Sequence, residues 1–336
     1  MPVASNIYSD QMPRWQRELT EAIRDPAELL ALLELDPALL PAAQKAAVQF
    51  SLRVPRGFVK RMRRGDPRDP LLLQVLPLAD ELKSVSGFGT DPVGDLMAMR
   101  DGGVLHKYQG RVLLVATGAC AIHCRYCFRR HFPYADSNAS AKQWAPALDY
   151  IRKHSDISEV ILSGGDPLML SDRRLAMLLQ ALEEIPHLRR LRIHSRLPIV
   201  LPSRIDTAML DWLTSARLDL ILVIHANHPR ELNDEVATAM QQLRQHGVHL
   251  LNQSVLLAGI NDDADTLTEL SERLFAIGVL PYYLHALDPV QGASHFDSDA
   301  SLSTLMPALR TRLPGYLVPR PVREEPGLPH KTPLPY

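Results

Sequence analysis

Cysteine occurs three times in this chain, as Cys120, Cys124 and Cys127, spaced C-x3-C-x2-C. Thiolates hold iron–sulfur clusters and structural zinc, and each kind of site ordinarily takes four protein ligands. The sequence contains no fourth cysteine. Three thiolates converging on one four-iron cluster would leave one iron open, and an open iron can bind a substrate or cosubstrate. The count therefore points to catalysis in preference to electron storage. Two other readings fit the same residues: a Cys3His zinc site completed by His123 or His131, and thiols that hold nothing.

Elements must position this loop, and after residue 105 the sequence alternates short apolar runs with amphipathic stretches. The predicted strands are Val112–Ala116, Val160–Ser163, Leu191–His194, Leu220–His225, Leu250–Leu256 and Leu280–His285. Between them Leu175, Leu178, Leu179 and Leu182 recur at the spacing of one buried helix face, with Ser171 placed as a cap. Another helix opens at Asp262 or Asp263, carries Leu267, Leu270, Leu274 and Phe275, and ends at Gly278. A third spans about Asn233 to Gly247. Six strand–helix repeats predict an α/β fold with a parallel sheet and outer helices. Six is short of the eight that close a full barrel, so the expected fold is a partial (β/α)6 TIM-type barrel.

Chemistry in such barrels sits at the C-terminal strand ends. The cysteine loop follows the first predicted strand, and Ser163-Gly164-Gly165-Asp166-Pro167 follows the second. Two glycines there let the backbone approach a ligand closely, although a tight turn explains them equally well. His194-Ser195-Arg196 and His225 end the third and fourth strands, where a lone histidine is more often structural.

Residues 1–105 read as a helical extension, with helices near Glu28–Leu35 and Pro41–Val54. Pro55 to Pro92 is rich in turn formers. Residues 106–313 form the barrel, and 314–336 a proline-rich tail without periodicity. The 336 residues carry 37 Lys+Arg against 38 Asp+Glu, a net charge of -1. That balance offers no field for nucleic acid or an anionic membrane. The N-terminus lacks the features of a signal peptide, and no apolar run approaches the ~18 residues of a membrane span. Clustered thiols without a disulfide framework suit a reducing cytoplasm.

These stretches resemble the lysine 2,3-aminomutase family, radical S-adenosylmethionine (SAM) enzymes that also use pyridoxal phosphate (PLP). The likeness runs from about Val54 to the end of the chain. It includes His106-Lys107-Tyr108-Gln109-Gly110-Arg111, Leu162-Ser163-Gly164-Gly165-Asp166, Asn252-Gln253-Ser254-Val255-Leu256-Leu257, Pro281-Tyr282-Tyr283 and Gly315-Tyr316. The resemblance implies a [4Fe–4S] cluster on Cys120, Cys124 and Cys127, with SAM chelating the open iron. Gly164, Gly165 and Asp166 match the segment that holds the SAM amino group, and Ser195 and His225 are further cofactor-binding candidates. Lys331 falls at the lysine that carries PLP. Tyr108, Arg111 and Gln253, with Lys107, fall where PLP and its phosphate are cradled. Arg129 matches the arginine for the substrate carboxylate, a task suited to a guanidinium fork.

Asp288 and Glu324 match two carboxylates around the distal ammonium of lysine. Two acids at that end favour lysine over glutamate as substrate. The implied reaction moves the amino group of L-lysine from C2 to C3. The run Cys127-Phe128-Arg129-Arg130-His131-Phe132 resembles the branch that supplies β-lysine to the ligase modifying elongation factor P. A flavodoxin-type electron donor is implied as well.

The chain also departs from the family. Gly327-Leu328-Pro329-His330 replaces its glycine run before the PLP lysine, Glu324 replaces an aspartate, and His285 replaces a tyrosine near the ring. The sequence stops five residues after Lys331, so the family's cysteine-bearing structural-zinc extension and the assembly built on it are not expected.

Overall fold

The structure is a computed structural model that describes residues 12–134, 144–298, 300 and 302–336. Among these, ten strands form one mixed sheet whose spatial order is chain order. The strands are β1 (Met99–Arg100), β2 (Val104–Tyr108), β3 (Arg111–Thr117), β4 (Glu159–Gly164) and β5 (Arg190–Ser195). They continue with β6 (Asp219–Ile224), β7 (His249–Val255), β8 (Leu280–His285), β9 (Arg320–Arg323) and β10 (Thr332–Pro333). Neighbours from β3 to β9 pair in parallel, whereas β1–β2, β2–β3 and β9–β10 are antiparallel.

All six predicted strands are present, each followed by a helix. Those helices are Trp144–Lys153, Asp172–Glu183, Thr207–Thr214, Asp234–Gln245, Ala264–Ala276 and Leu302–Arg312. This is the partial (β/α)6 barrel, extended at both sheet ends. Parallel strands buried on both faces read as unbroken apolar runs, and Val160, Ile161 and Leu162 of β4 are all buried. On helix Asp172–Glu183 the predicted leucines 175, 178, 179 and 182 are the buried ones. Each such leucine contributes roughly 1.5–3 kcal/mol by leaving water. Asp263 caps its helix by accepting from Thr266 N at 2.8 Å. Ser171 stands at an N-cap position but its side chain makes no capping bond.

Three sequence expectations need correction. The first 105 residues are not purely helices and loops, because β1 and the start of β2 lie there. The tail read as lacking periodicity nonetheless contains two strands: β9 pairs with β8 and β10 folds back on β9, delivering Lys331 to the sheet edge. Strands this short carry too few alternating residues to produce a period. The predicted helix Pro41–Val54 ends earlier, at Gln49, and Val54 instead bridges Ile23. Trp15, Ile23, Leu29 and Phe58 share one continuous core with the barrel residues Val160 and Leu191. Among the described residues no helix is long and apolar enough to cross a membrane.

Candidate active site

The cysteine loop leaves β3 and is gripped by the N-terminal segments. Arg53 donates to Cys120 O at 2.9 Å, His123 N donates to Arg53 O at 2.9 Å, and Arg125 N donates to Gln74 O at 2.9 Å. The Arg125 guanidinium is fully buried and forks onto both carboxylate oxygens of Glu81, at 2.8 and 2.5 Å. Arg130 reaches the same carboxylate at 2.8 Å. Both guanidiniums lie over the Phe50 ring, 4.8 and 4.6 Å from its centre. His123 shares its Nδ1 with Ser51 and stacks on Phe50. His131 Nε2 lies 3.1 Å from Gln291 O. Neither ring lines the cavity that the thiols face, so ring placement lends no support to the zinc reading.

That cavity, of about 490 Å³, is lined by all three cysteines, by Gly164, Gly165 and Asp166, and by Lys331 from the tail. Burial pushes the Cys120 thiol well above its ordinary range and the Cys127 thiol up to about 11. Holding them as thiolates therefore needs compensating positive charge, which a bound metal would supply.

The exit of β4 lies hard against the cysteine loop. Gly165 N donates to Thr117 O at 2.7 Å and Asp166 N to Ala119 O at 2.8 Å. Gly164 has φ +112°, and a Cβ on Gly165 would fall 2.5 Å from Ala119 O. Side chains are thus excluded at both positions. The Asp166 carboxylate is occupied by its own fold. It accepts from Ser195 Oγ at 2.7 Å, Arg196 N at 2.8 Å, Leu197 N at 2.9 Å and Leu168 N at 3.1 Å. Ser195 is buried behind it and does not line the cavity, so its place is beneath the β4–β5 junction.

A ladder of alternating charge crosses another part of the wall. Arg129 pairs with Asp95 at 2.6 Å and donates to Ser163 Oγ at 3.1 Å. Lys107 bridges Asp95 at 2.5 Å and Glu324 at 2.8 Å, and Lys331 pairs with the other Glu324 oxygen at 2.5 Å. Burial raises the Glu324 carboxyl, but Lys331 and Lys107 outweigh it and hold the group well below the usual carboxylate range. Asp288 lies outside the ladder. Burial pushes it up to about 7, and its Oδ1 is buried without a partner.

Tyr108 lies under Arg111, whose guanidinium carbon is 4.5 Å from the ring centre. Gln253 Nε2 is 3.0 Å from His225 Nε2. Burial holds His225 down to about 3, and so neutral at ordinary pH. His285 and His194 also face the cavity, each with a buried Nε2 that has no partner.

Two residues stand out that sequence reasoning did not select. Asp95 joins Arg129 to Lys107 from a loop with Pro92 and Gly94, where no period marks a buried acid. Arg196 was visible only as a strand-end neighbour of Ser195. A basic residue buried to 5% exposure on a strand end is recognisable only once its partners are known.

Residues 114–270 match the family model of the Radical SAM superfamily. The fold and the cysteine loop thus define a radical SAM enzyme. The chain is 50% identical to the L-lysine 2,3-aminomutase of Escherichia coli (strain K12), over 95% of this chain and 94% of that one. It is also 50% identical to the L-lysine 2,3-aminomutase of Haemophilus influenzae, over 95% and 94% respectively. The L-lysine 2,3-aminomutase of Clostridium subterminale is 34% identical, over 95% of this chain and 77% of its own. This chain belongs to the L-lysine 2,3-aminomutase family of isomerases.

Proposed function

We propose that this protein converts L-α-lysine to β-lysine by moving the amino group from C2 to C3, with a [4Fe–4S] cluster, SAM and PLP. The observation that carries the reading is one cavity of about 490 Å³. The three thiols, the Gly164–Asp166 turn, Lys331 and the acids Asp288 and Glu324 all face it. Three half-buried thiols at one wall suit a cluster with an open iron. Lys107, Arg111, Tyr108 and Gln253 suit a phosphate and a pyridine ring, and Lys331 suits a carbonyl. When bound, the cluster and SAM supply a carbon-centred radical, and PLP supplies the carbonyl that holds the migrating nitrogen.

The chain's own groups do the remainder. Arg129 offers its guanidinium to the substrate carboxylate, with Asp95 and Ser163 fixing its plane. Glu324, held between Lys107 and Lys331, joins Asp288 in accepting the distal ammonium of lysine. The buried apolar residues Leu105, Val112 and Ile161 in the cavity lining help keep water from the radical step. Further along the reading, a flavodoxin-type protein delivers the electron. The β-lysine passes to the ligase that modifies elongation factor P, in the cytoplasm. This last part rests on the resemblance of the Cys127–Phe132 run.

The test is anaerobic incubation of reconstituted protein with SAM, PLP, dithionite and L-lysine, read by chromatography and mass spectrometry. A β-lysine peak that requires both SAM and PLP is expected. If both cofactors load and lysine stays untouched, the substrate reading fails. A folded protein that loads neither would be a non-catalytic binding module.

A further inference from the structure

Arg196 follows β5 and is turned into the protein beneath the cysteine loop. Its Nη1 donates to Cys124 Sγ at 2.8 Å. Its Nη2 donates to Gln74 Oε1 at 2.5 Å and to Glu231 Oε2 at 2.9 Å. Its backbone N–H is one of the four donors on Asp166. Glu231 is fully buried and is itself held by Asn227 N and Gln74 Nε2, at 2.8 and 3.2 Å. Asn227 in turn donates to Gln74 Oε1 and to Tyr126 Oη. One guanidinium thus touches a cluster thiol, an N-terminal glutamine and a buried carboxylate, while its main chain completes the Gly164–Asp166 turn.

We infer that Arg196 is a positioning residue that sets the reduction potential of the cluster, with Glu231 as its counter-charge. The inference rests on the proposal that Cys120, Cys124 and Cys127 hold a cluster. Reduction adds an electron that spreads onto the sulfurs. A cationic N–H donor on one sulfur stabilises that added charge and raises the potential, since hydrogen bonds to the sulfurs are one of the protein's means of setting it. Arg196 and Glu231 are both buried, so the charge is poorly screened. Glu231 opposes the effect by offsetting part of the positive charge, and Gln74 fixes the guanidinium plane so that Nη1 stays on the thiol. The same residue anchors the SAM-side turn through its backbone. Side-chain substitution therefore separates electronic tuning from that anchor.

The test is a redox titration of anaerobically reconstituted protein without lysine, following the reduced cluster by electron paramagnetic resonance. Arg196→Gln is expected to lower the potential and Glu231→Gln to raise it. Arg196→Lys is expected to fall between wild type and Arg196→Gln. A tenfold loss of reduced cluster at fixed poise, about 59 mV for a one-electron couple, is the scale sought. A lower potential in Arg196→Gln together with a higher one in Glu231→Gln supports the inference. Unchanged potentials in cluster-loaded variants, shifts of the same sign, or both shifts reversed overturn it. If Arg196→Gln does not load a cluster, the sign for Glu231→Gln decides alone, an upward shift supporting the inference and any other result overturning it. Wild-type protein that loads no four-iron cluster sinks the cluster reading instead, and turnover of lysine enters none of these outcomes.

Discussion

At the scale of single residues, the roles proposed for Lys331 and Asp288 can be tested separately. Lys331→Ala removes the amine that would carry PLP while leaving the three thiols untouched. The expected result is an intact brown cluster absorbance with no absorption band from lysine-bound PLP and no turnover. A variant that keeps the band would move the attachment point elsewhere. Asp288 makes a different prediction. Burial places its titration near pH 7, so it is neutral below and a carboxylate above. Affinity for the lysine cation should therefore rise as pH climbs through about 7. Asp288→Asn should flatten that rise and raise KM roughly ten- to hundredfold, the ~1.5–3 kcal/mol of a charged hydrogen bond. A pH profile identical to wild type would remove Asp288 from the substrate's surroundings.

At the scale of elements, the critical contact is between the exit of β4 and the loop after β3. Gly165 brings its backbone against Ala119 because no Cβ intervenes. Gly165→Ala should force the two segments apart at a cost of ~1–3 kcal/mol, the usual range for overpacking. Denaturant titration would read the stability loss, and iron content would read the displaced loop. Normal stability together with full cluster loading would show that the loop tolerates the shift. The tail gives the second lesson at this scale. Its proline-rich sequence has no period, yet β9 and β10 bring Lys331 to Glu324 across seven residues of chain. Neighbouring strands, not local propensity, decide that path.

At the scale of the whole molecule, the N-terminal segments hold the chemistry in place. Glu81 pairs with two guanidiniums from the cysteine loop and offsets one of their two charges, with Arg125 wholly inaccessible to solvent. Removing one partner of a buried ion pair costs ~3–5 kcal/mol, because the remaining charge stays desolvated. Glu81→Ala is expected to lose stability on that scale and to load less iron. Thermal denaturation and iron assay of the purified variant would measure both. An unchanged Tm would mean that the arginines find water or other partners, and that the clamp is dispensable.

The sequence alone showed three cysteines gathered in one C-x3-C-x2-C loop, since residue counting needs no coordinates. It also determined the six parallel strands, because strands buried on both faces must read as apolar runs. The capping of Ala264–Ala276 and the leucine stripe of Asp172–Glu183 were legible for the same local reason. Tertiary structure decided what depends on partners distant in sequence. Asp95 gains its meaning from Arg129 and Lys107, Ser195 from Asp166, and Arg196 from Cys124 and Glu231. Burying a charge is affordable only beside its complement. A sequence shows the charge, and only the fold supplies the complement.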